Sequence, residues 1–385
     1  MCLRLGQQTY TINDMKVFET DLGQIIQQDS LAYMREQMAD ESLDLIFTSP
    51  PFALLRKKDY GNVEEHRYVA WFEEFAHQFH RILKPTGSLV IDIGGSWIPG
   101  QPTRSLYHFE LLIMLCRRVG FYLAQEFYWW NPSKLPTPAE WVNVRRIRVK
   151  DAVNCVFWLS KTPWPKASNR RVLVPYSDSM QALLENGYSA KLRPSGHDIS
   201  DKFQVDNGGA IPPNLLAIPN TESNSYYLRY CRDRNIKPHP ARFPSKLPEY
   251  FIRMLTDEGN FVFDPFGGSC VTGEVAERLD RRWLCCEIVD EYIEGAKGRF
   301  ESQASLGETT TDSPASYEIY NAWALWSAST EDDEVLPEDG GQKRPSKNKK
   351  SKTSQKPYKV KVTRKQLRLF EADKDLTSEK ATSSD

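Results

Sequence analysis

Two short segments that lie far apart in the chain carry residue types suited to binding and modifying a small polar ring. The first, Ser49-Pro50-Pro51-Phe52, follows an apolar run at residues 44–47. Pro50 and Pro51 fix the backbone φ, and a residue before proline is kept out of the helical region, so we expect a rigid turn at a strand end. That turn offers a hydroxyl, a backbone carbonyl and an aromatic face. Together they can accept hydrogen bonds from an exocyclic amino group and stack on the ring that carries it.

The second segment is Asp264-Pro265-Phe266-Gly267-Gly268-Ser269, between an apolar run and a predicted helix at residues 272–279. Glycines at such a bend let a ligand approach the backbone, and the helix N-terminus offers free N–H groups. A P-loop is excluded because Glu274 stands where that motif needs lysine, and adjacent glycines do not match the dinucleotide fingerprint. An amino-acid-like ligand such as S-adenosylmethionine fits better, although a purely structural strand–turn–helix would share the pattern. Glu287, at the end of the next strand, is placed to bind ribose hydroxyls.

The pattern of apolar runs predicts the elements that position these segments. We predict strands at residues 24–27, 44–47, 88–93, 261–264 and 283–287, and helices at 31–38, 66–83, 106–119, 246–256 and 272–279. Alternating strands and helices predict an α/β fold, a mostly parallel sheet with helices on both faces. Residues 127–130 and 152–160 are predicted to form an antiparallel edge pair.

Composition and charge place only broad limits on the protein. The net charge is −1, but residues 343–370 are basic and residues 331–339 acidic, so a nucleic-acid partner is not excluded. The seven cysteines are scattered and form no Cys-x-x-Cys pair, which favours reduced thiols and argues against a zinc site. No signal peptide or membrane-spanning apolar run is visible, and we expect a cytoplasmic protein.

The two motifs together resemble the amino-methyltransferases that act on DNA bases. Their order, with the catalytic segment first and the cofactor segment last, resembles the β class, and the resemblance covers residues 13–300. It is closest to the PvuII-type N4-cytosine methyltransferases. Further similar segments are Arg56-Lys57-Lys58, Trp129-Trp130-Asn131-Pro132-Ser133-Lys134, Arg193-Pro194-Ser195-Gly196-His197-Asp198 and Pro238-His239-Pro240-Ala241-Arg242-Phe243-Pro244. Cys270 departs from the family pattern, which often has glycine or asparagine at its position.

The resemblance implies a Rossmann-like S-adenosylmethionine-dependent methyltransferase fold with an inserted target-recognition subdomain. Residues 13–160 would form the catalytic part and residues 238–301 the cofactor part. Between them, residues 161–237 are rich in Pro, Gly, Asn and Ser and interleave basic with aromatic residues, which is typical of a loop-built recognition region. Residues 302–385 are polar and are predicted to be a disordered tail.

The resemblance also implies direct methyl transfer to the amino group of a flipped-out cytosine. Ser49 Oγ and the Pro50 carbonyl would accept hydrogen bonds from that amino group, next to Pro51, and Phe52 would stack on the ring. A covalent C5-type mechanism is not expected because no cysteine follows a proline. Asp92, at the end of the neighbouring strand, would orient Ser49 or take the released proton, and capping of Gly94-Gly95 is the alternative.

The expected cofactor contacts come partly from the motif and partly from the resemblance. They are Asp29, Pro240, Asp264, Phe266, Gly267, Gly268, Ser269 and Glu287. Asp29 sits where the family binds the adenine ring, and a plain helix N-cap is the alternative.

Contacts with double-stranded DNA are predicted in two places. Arg145, Arg146, Arg148 and Lys150 form a basic cluster suited to phosphates or to a solvated face. Arg193, His197 and Asp198 have residue types that read base edges. A monomer would suffice, and a restriction endonuclease acting on the same site is a candidate partner. Two alternatives remain at this point: an N6-adenine enzyme, which mostly carries Asp or Asn in place of Ser49, and a non-catalytic DNA-binding protein.

Overall fold

A computed structural model of the chain describes residues 17–53, 65–187, 205–221 and 225–305. In these residues one nine-stranded sheet has the order β1-β2-β9-β8-β3-β4-β6-β5-β7. The strands are β1 Val17–Glu19, β2 Gly23–Gln27, β3 Leu43–Thr48, β4 Leu83–Ile93, β5 Tyr122–Trp130, β6 Val153–Ser160, β7 Leu215–Ala217, β8 Phe261–Asp264 and β9 Arg282–Glu287. The central strands β2, β9, β8, β3 and β4 run parallel, and β6 reverses the direction.

Helices cover both faces of this sheet, as predicted. They are α1 Ser30–Gln37, α2 Glu65–Ile82, α3 Tyr107–Met114, α4 Asp178–Asn186, α5 Tyr226–Asp233, α6 Lys246–Leu255, α7 Val271–Arg278 and α8 Asp290–Ser305. One core cluster packs α6, α7 and α8 on the sheet, and the other packs α1, α2 and α3. Phe47 of β3 belongs to the first cluster and Ile46 to the second, so β3 is buried on both faces, as expected for a central parallel strand.

The structure corrects three details of the predicted elements. β5 and β6 pair antiparallel as expected, but they are not the edge, because the three-residue β7 adds beyond β5. The helix predicted at residues 106–119 starts at Tyr107, and its last turn, Leu115–Val119, is π-helical before the left-handed Gly120. α8 continues through residues 302–305, which we had assigned to the tail. The rest of that tail, residues 306–385, lies outside the described residues.

The topology brings distant parts of the sequence to one edge of the sheet. Because β2, β9, β8, β3, β4 and β5 all point the same way, their carboxyl ends lie side by side. In open α/β sheets, ligands bind outside these carboxyl ends. Both sequence motifs follow strands of this group, at β3 and β8, which are direct neighbours. Among the described residues, no helix is long and apolar enough to cross a membrane.

Candidate active site

A cavity of about 720 Å³ opens at the carboxyl edge of the sheet. Its lining includes twelve of the predicted site residues: Ser49, Pro50, Pro51, Phe52, Asp92, Asp29, Pro240, Phe266, Gly267, Gly268, Ser269 and Glu287. Five strands and their following turns supply eleven of these residues, and Pro240 comes from the segment between α5 and α6. The first and last of the twelve are almost 260 positions apart in sequence. The space is of the size that small-molecule and cofactor sites occupy.

Ser49 is held by a buried carboxylate at the floor of the cavity. Its hydroxyl donates to Asp92 Oδ2 over 3.1 Å, and Asn154 Nδ2 donates to Asp92 Oδ1 over 3.1 Å. Asp92 is only 2% exposed, and burial raises its pKa to about 6 although both hydrogen bonds oppose the rise. Because the hydroxyl proton points at Asp92, the lone pairs of Ser49 Oγ are available to a donor in the cavity. The bonds of Asp92 support the orienting role over capping of Gly94-Gly95.

Phe52 lies against a position where only glycine fits. A Cβ on Gly94 would come within 2.7 Å of Phe52 Cε2 and 3.3 Å of Asn154 Oδ1. The Gly94 carbonyl is fixed by the hydroxyl of Tyr107, which donates to it. The position of the Phe52 ring therefore depends on its close approach to the backbone of Gly94. The Ser-Pro-Pro-Phe motif alone does not reveal this contact.

Asp264 lies beneath the cavity and is outside its lining, although we predicted a cofactor contact. Its carboxylate accepts hydrogen bonds from Thr48 Oγ1 at 2.8 Å, Thr272 Oγ1 at 2.7 Å and the Phe266 amide at 3.1 Å. Burial raises its pKa to about 6. Asp264 thus ties the strand before Ser49 to the glycine turn and to the first turn of α7. It positions both motifs relative to each other.

The glycine turn is shaped for close ligand approach. Gly268 has φ +53°, where an L side chain is strained, and an added Cβ would lie 3.2 Å from the His239 ring. Ser269 is buried and is gripped by Arg299, which donates to its carbonyl at 2.6 Å and its Oγ at 3.1 Å. Cys270 has φ +57°, in the left-handed region that glycine and asparagine prefer. This backbone conformation accounts for the glycine or asparagine that the family often carries there.

Two carboxylates at the rim of the turn retain acceptor capacity. Glu287 Oε2 accepts the Gly268 amide at 2.8 Å, and its Oε1 accepts the amides of Ile288 and Val289 at 2.9 Å each. Asp29 accepts the Ala32 amide at 2.9 Å, so the N-cap interpretation is correct, and the residue also lines the cavity. Each carboxylate oxygen has more than one lone pair, so these bonds leave room for ligand hydroxyls and amines.

Sequence reasoning assigned no site role to several residues that line the cavity: Trp71, Phe75, Lys134, Asn154 and His239. Lys134 and His239 are named only within segments that resemble the family. Trp71 and Phe75 lie in the helix predicted at residues 66–83, where their helical spacing indicates an apolar face that packs on the core. Their rings lie 5.9 Å and 5.2 Å from that of Phe266, so this face continues into the cavity wall. A one-sided apolar helix face gives no signal that its first turns border a ligand site. Asn154 is one polar residue in a strand, and nothing in the sequence connects it with Asp92.

The predicted DNA contacts have different environments. Arg145 pairs with Glu140 at 2.7 Å and covers the Trp141 ring, whereas Arg148 packs on the Trp97 ring at 4.1 Å and donates to the Pro102 carbonyl. Arg146 is exposed and makes no hydrogen bond or ion pair with another described residue. Lys150 donates to the carbonyls of Pro132 and Lys134. Arg193, His197 and Asp198 lie outside the described residues, as does Arg56-Lys57-Lys58.

Comparison with known proteins agrees with this arrangement. The family model described as DNA methylase matches residues 43–298, and the chain belongs to that family. The type II methyltransferase M.PvuII of Proteus hauseri is 52% identical, over 83% of this chain and 96% of its own length. The solved PvuII DNA methyltransferase, described as cytosine-N4-specific, is 46% identical with a TM-score of 0.60, over 78% of this chain and 92% of that one. The type II methyltransferase M.BamHI of Bacillus amyloliquefaciens is 28% identical, over 76% and 61%. The resemblance inferred from the motifs is confirmed.

The cavity also fits the cofactor of this family, S-adenosylmethionine. The glycine turn accommodates a ligand against the backbone, since a Cβ at Gly268 would meet the His239 ring. Glu287 and Asp29 provide acceptors, and Phe266 with Trp71 provides an aromatic wall. These donor and acceptor types suit an amino acid joined to a nucleoside.

The pH dependence of turnover should follow Asp92. We expect kcat to fall as the pH is lowered, with a midpoint near pH 6. A protonated Asp92 no longer accepts hydrogen bonds from both Ser49 and Asn154. The pKa values of Asp92 and Asp264 are both raised, so the stability that comes from protonation of these two groups is complete at low pH and is lost as pH rises through about 6. Neither group therefore weakens the fold between pH 6 and 5, and circular dichroism should show a folded protein while the rate falls.

A pair of variants distinguishes the two carboxyl groups. Asn154→Ala removes a hydrogen bond that lowers the pKa of Asp92, so the acid limb of kcat should move to higher pH. Thr272→Val removes a hydrogen bond that lowers the pKa of Asp264, and it should leave the acid limb of kcat at the same pH. If the acid limb of kcat moves in Thr272→Val and not in Asn154→Ala, the titrating group is Asp264.

Proposed function

We propose that this chain is a DNA methyltransferase that acts on the N4 amino group of a flipped-out cytosine in double-stranded DNA. The observation that carries the proposal is the hydrogen bond from Ser49 to the buried Asp92, in the same cavity as the glycine turn. The 52% identity to M.PvuII supports the choice of base, as does the match to a structure described as cytosine-N4-specific. Serine at position 49, instead of aspartate or asparagine, argues against N6-adenine.

The roles of the side chains follow from their geometry. S-adenosylmethionine, when bound, supplies the methyl group. Ser49 Oγ, with its proton directed to Asp92, accepts from the cytosine amino group and turns the nitrogen lone pair away from the ring. Phe52 stacks on the base, and the Pro50 carbonyl accepts a hydrogen bond from the second N–H of the amino group. Preorganised acceptors and alignment are the principal contribution that such a site makes to catalysis.

Proton removal uses the same two residues. As the amino nitrogen gains its methyl group, one amino proton passes to Ser49 Oγ while the serine proton passes to Asp92 Oδ2. The raised pKa of Asp92, about 6, makes it a better proton acceptor than an ordinary aspartate and still lets it release the proton to water near neutral pH.

The other assignments extend the same proposal. Asp29, Pro240, Phe266, Gly267, Gly268, Ser269 and Glu287 would hold the cofactor, and Asp264 would support them from below. Arg145, Arg146, Arg148 and Lys150 would contact phosphates. Residues 161–237, with Arg193, His197 and Asp198, would read the target sequence. Methylation of one strand at a time needs only a monomer. The chain is similar to proteins described as type II methyltransferases, and we propose an endonuclease with the same recognition site as its partner.

The direct test is a product analysis. The purified chain is incubated with S-adenosylmethionine and unmodified genomic DNA, and the DNA is digested to nucleosides for mass spectrometry. We expect N4-methyldeoxycytidine. N6-methyldeoxyadenosine would overturn the assignment of Ser49, and the absence of any methylated base from protein that binds the cofactor would indicate a non-catalytic DNA-binding protein.

Replacing Glu287 should separate cofactor binding from DNA binding. Glu287→Ala removes the acceptor of three backbone amides and of the ribose hydroxyls, so the cofactor Kd should rise by at least about tenfold. DNA affinity at low salt should be unchanged. Calorimetry with the cofactor and a DNA-binding assay measure the two effects. Glu294→Ala, which removes only a pair with Lys297, is the control. Equal loss of both affinities would contradict the assignment.

A further inference from the structure

The loop between β5 and β6, residues 131–152, stands at the mouth of the cavity. Asn131, Lys134 and Ala152 of this loop line the cavity itself, and Asn154 just beyond it bonds to Asp92. Its two ends are joined by the Asn131 amide, which donates to the Ala152 carbonyl over 2.8 Å. A DNA duplex that delivers a base to Ser49 would meet this loop at the cavity.

The part of the loop around Leu135 is held by its neighbours. Lys150 Nζ donates to the Lys134 carbonyl at 3.1 Å, and Asn143 Nδ2 donates to the Pro136 carbonyl at 2.8 Å. The carbonyls on both sides of Leu135 are thus fixed by side chains from the opposite limb of the loop. Prolines at positions 132, 136 and 138 restrict the backbone further.

Leu135 itself is 75% exposed on this fixed backbone. It directly follows a residue that lines the cavity, Lys134. The opposite limb presents further exposed apolar side chains, with Val149 84% exposed and Val144 and Ile147 more than half exposed. Clustered exposed apolar side chains mark a contact surface.

The charges around these side chains indicate which partner covers them. Arg145 and Arg146 are exposed in the same stretch as Val144 and Ile147, and Lys150 follows Val149. Apolar side chains flanked by cations match duplex DNA, where phosphates surround a stacked apolar interior. Proteins that distort DNA insert apolar wedges, including leucine, between bases.

We propose that Leu135 enters the base stack at the target site and occupies the space that the flipped cytosine leaves. This inference rests on the proposed function. Val149, on the opposite limb, would pack against the neighbouring base pair, while Arg146 contacts the phosphate backbone. Removal of a base from the stack costs a few kcal/mol, and a side chain that fills the gap offsets part of that cost.

The test compares two duplexes that carry the recognition site mapped from methylated genomic DNA. In one the target cytosine is paired, and in the other an abasic nucleotide lies opposite it, so that much of the cost of flipping is already removed. We expect Leu135→Ala to lower kcat/KM by roughly 10- to 100-fold on the paired duplex. On the abasic duplex, kcat/KM of Leu135→Ala should lie within about threefold of the value for the unsubstituted protein.

Leu123→Ala is the matched control, because this leucine is 41% exposed at the opposite end of β5. It should leave both substrates unaffected. Equal rates of Leu135→Ala and the unsubstituted protein on the paired duplex would overturn the inference, as would an equal loss on both duplexes. A dimer in gel filtration that Leu135→Ala dissociates would overturn it too, since a second copy would then cover the loop. Product formation by the unsubstituted protein reports separately on the proposed function.

Discussion

Replacing Ser49 with alanine is expected to lower kcat by about 100-fold or more, with little change in cofactor affinity. The substitution removes the acceptor that Asp92 orients over 3.1 Å, at the floor of the cavity. Single preorganised hydrogen-bonding groups in active sites are worth about 10²–10³ in rate. Single-turnover methylation at saturating DNA and cofactor measures the effect on the chemical step.

The pair Ser49 and Asp92 also predicts a non-additive result. If Asp92 acts through Ser49, Asp92→Asn should cause a similar loss, and the double variant should be little worse than either single one. Ser42→Ala is the matched control, because Ser42 lies just before β3, away from the cavity, and its hydroxyl donates only to the Ala39 carbonyl, at 2.8 Å. Full activity of Ser49→Ala, or additive losses in the double variant, would contradict the assigned roles.

Replacing Asp264 with alanine is expected to produce the largest loss of stability. Three donors, from Thr48, Thr272 and the Phe266 amide, would lose their buried acceptor. Each such group costs about 1–3 kcal/mol, partly offset because a buried carboxylate is removed. A net loss of about 3 kcal/mol corresponds to a fall in Tm of roughly 6–12 °C. Cofactor binding should also weaken, since the glycine turn loses its anchor.

Asp257→Ala is the control variant, because it removes a carboxylate from the surface and not from the interior. Asp257 pairs with Lys166 and Arg171 at the surface, where an ion pair contributes little. Thermal unfolding followed by circular dichroism should show a much smaller shift for that variant. A similar small shift for Asp264→Ala would show that the link between β3, β8 and α7 is not important for stability.

The features that the sequence predicted are those that depend on residues close together in the chain. The central strands and the helices α1, α2, α3, α6 and α7 were located within a few residues, because buried parallel strands and one-sided helices leave apolar patterns in the local sequence. The 16-residue α8 was not predicted. The three-residue β7 was not predicted, since its pairing with β5 depends on tertiary packing rather than on a local pattern. The role of Asn154 was not predicted either, because it depends on a hydrogen bond to Asp92, 62 residues away. Cys270 was recognised as a departure, but only the backbone showed a left-handed position there.

The strand order has a consequence for the synthesis of this protein. β2 and β3 are close in sequence, yet β9 and β8 lie between them in the sheet and come from the far end of the described chain. A nascent chain that has left the ribosome only as far as β7 therefore lacks the two strands that join its first part. Ser49 and the glycine turn can meet only when residues 261–287 have emerged, so the site cannot assemble earlier in translation.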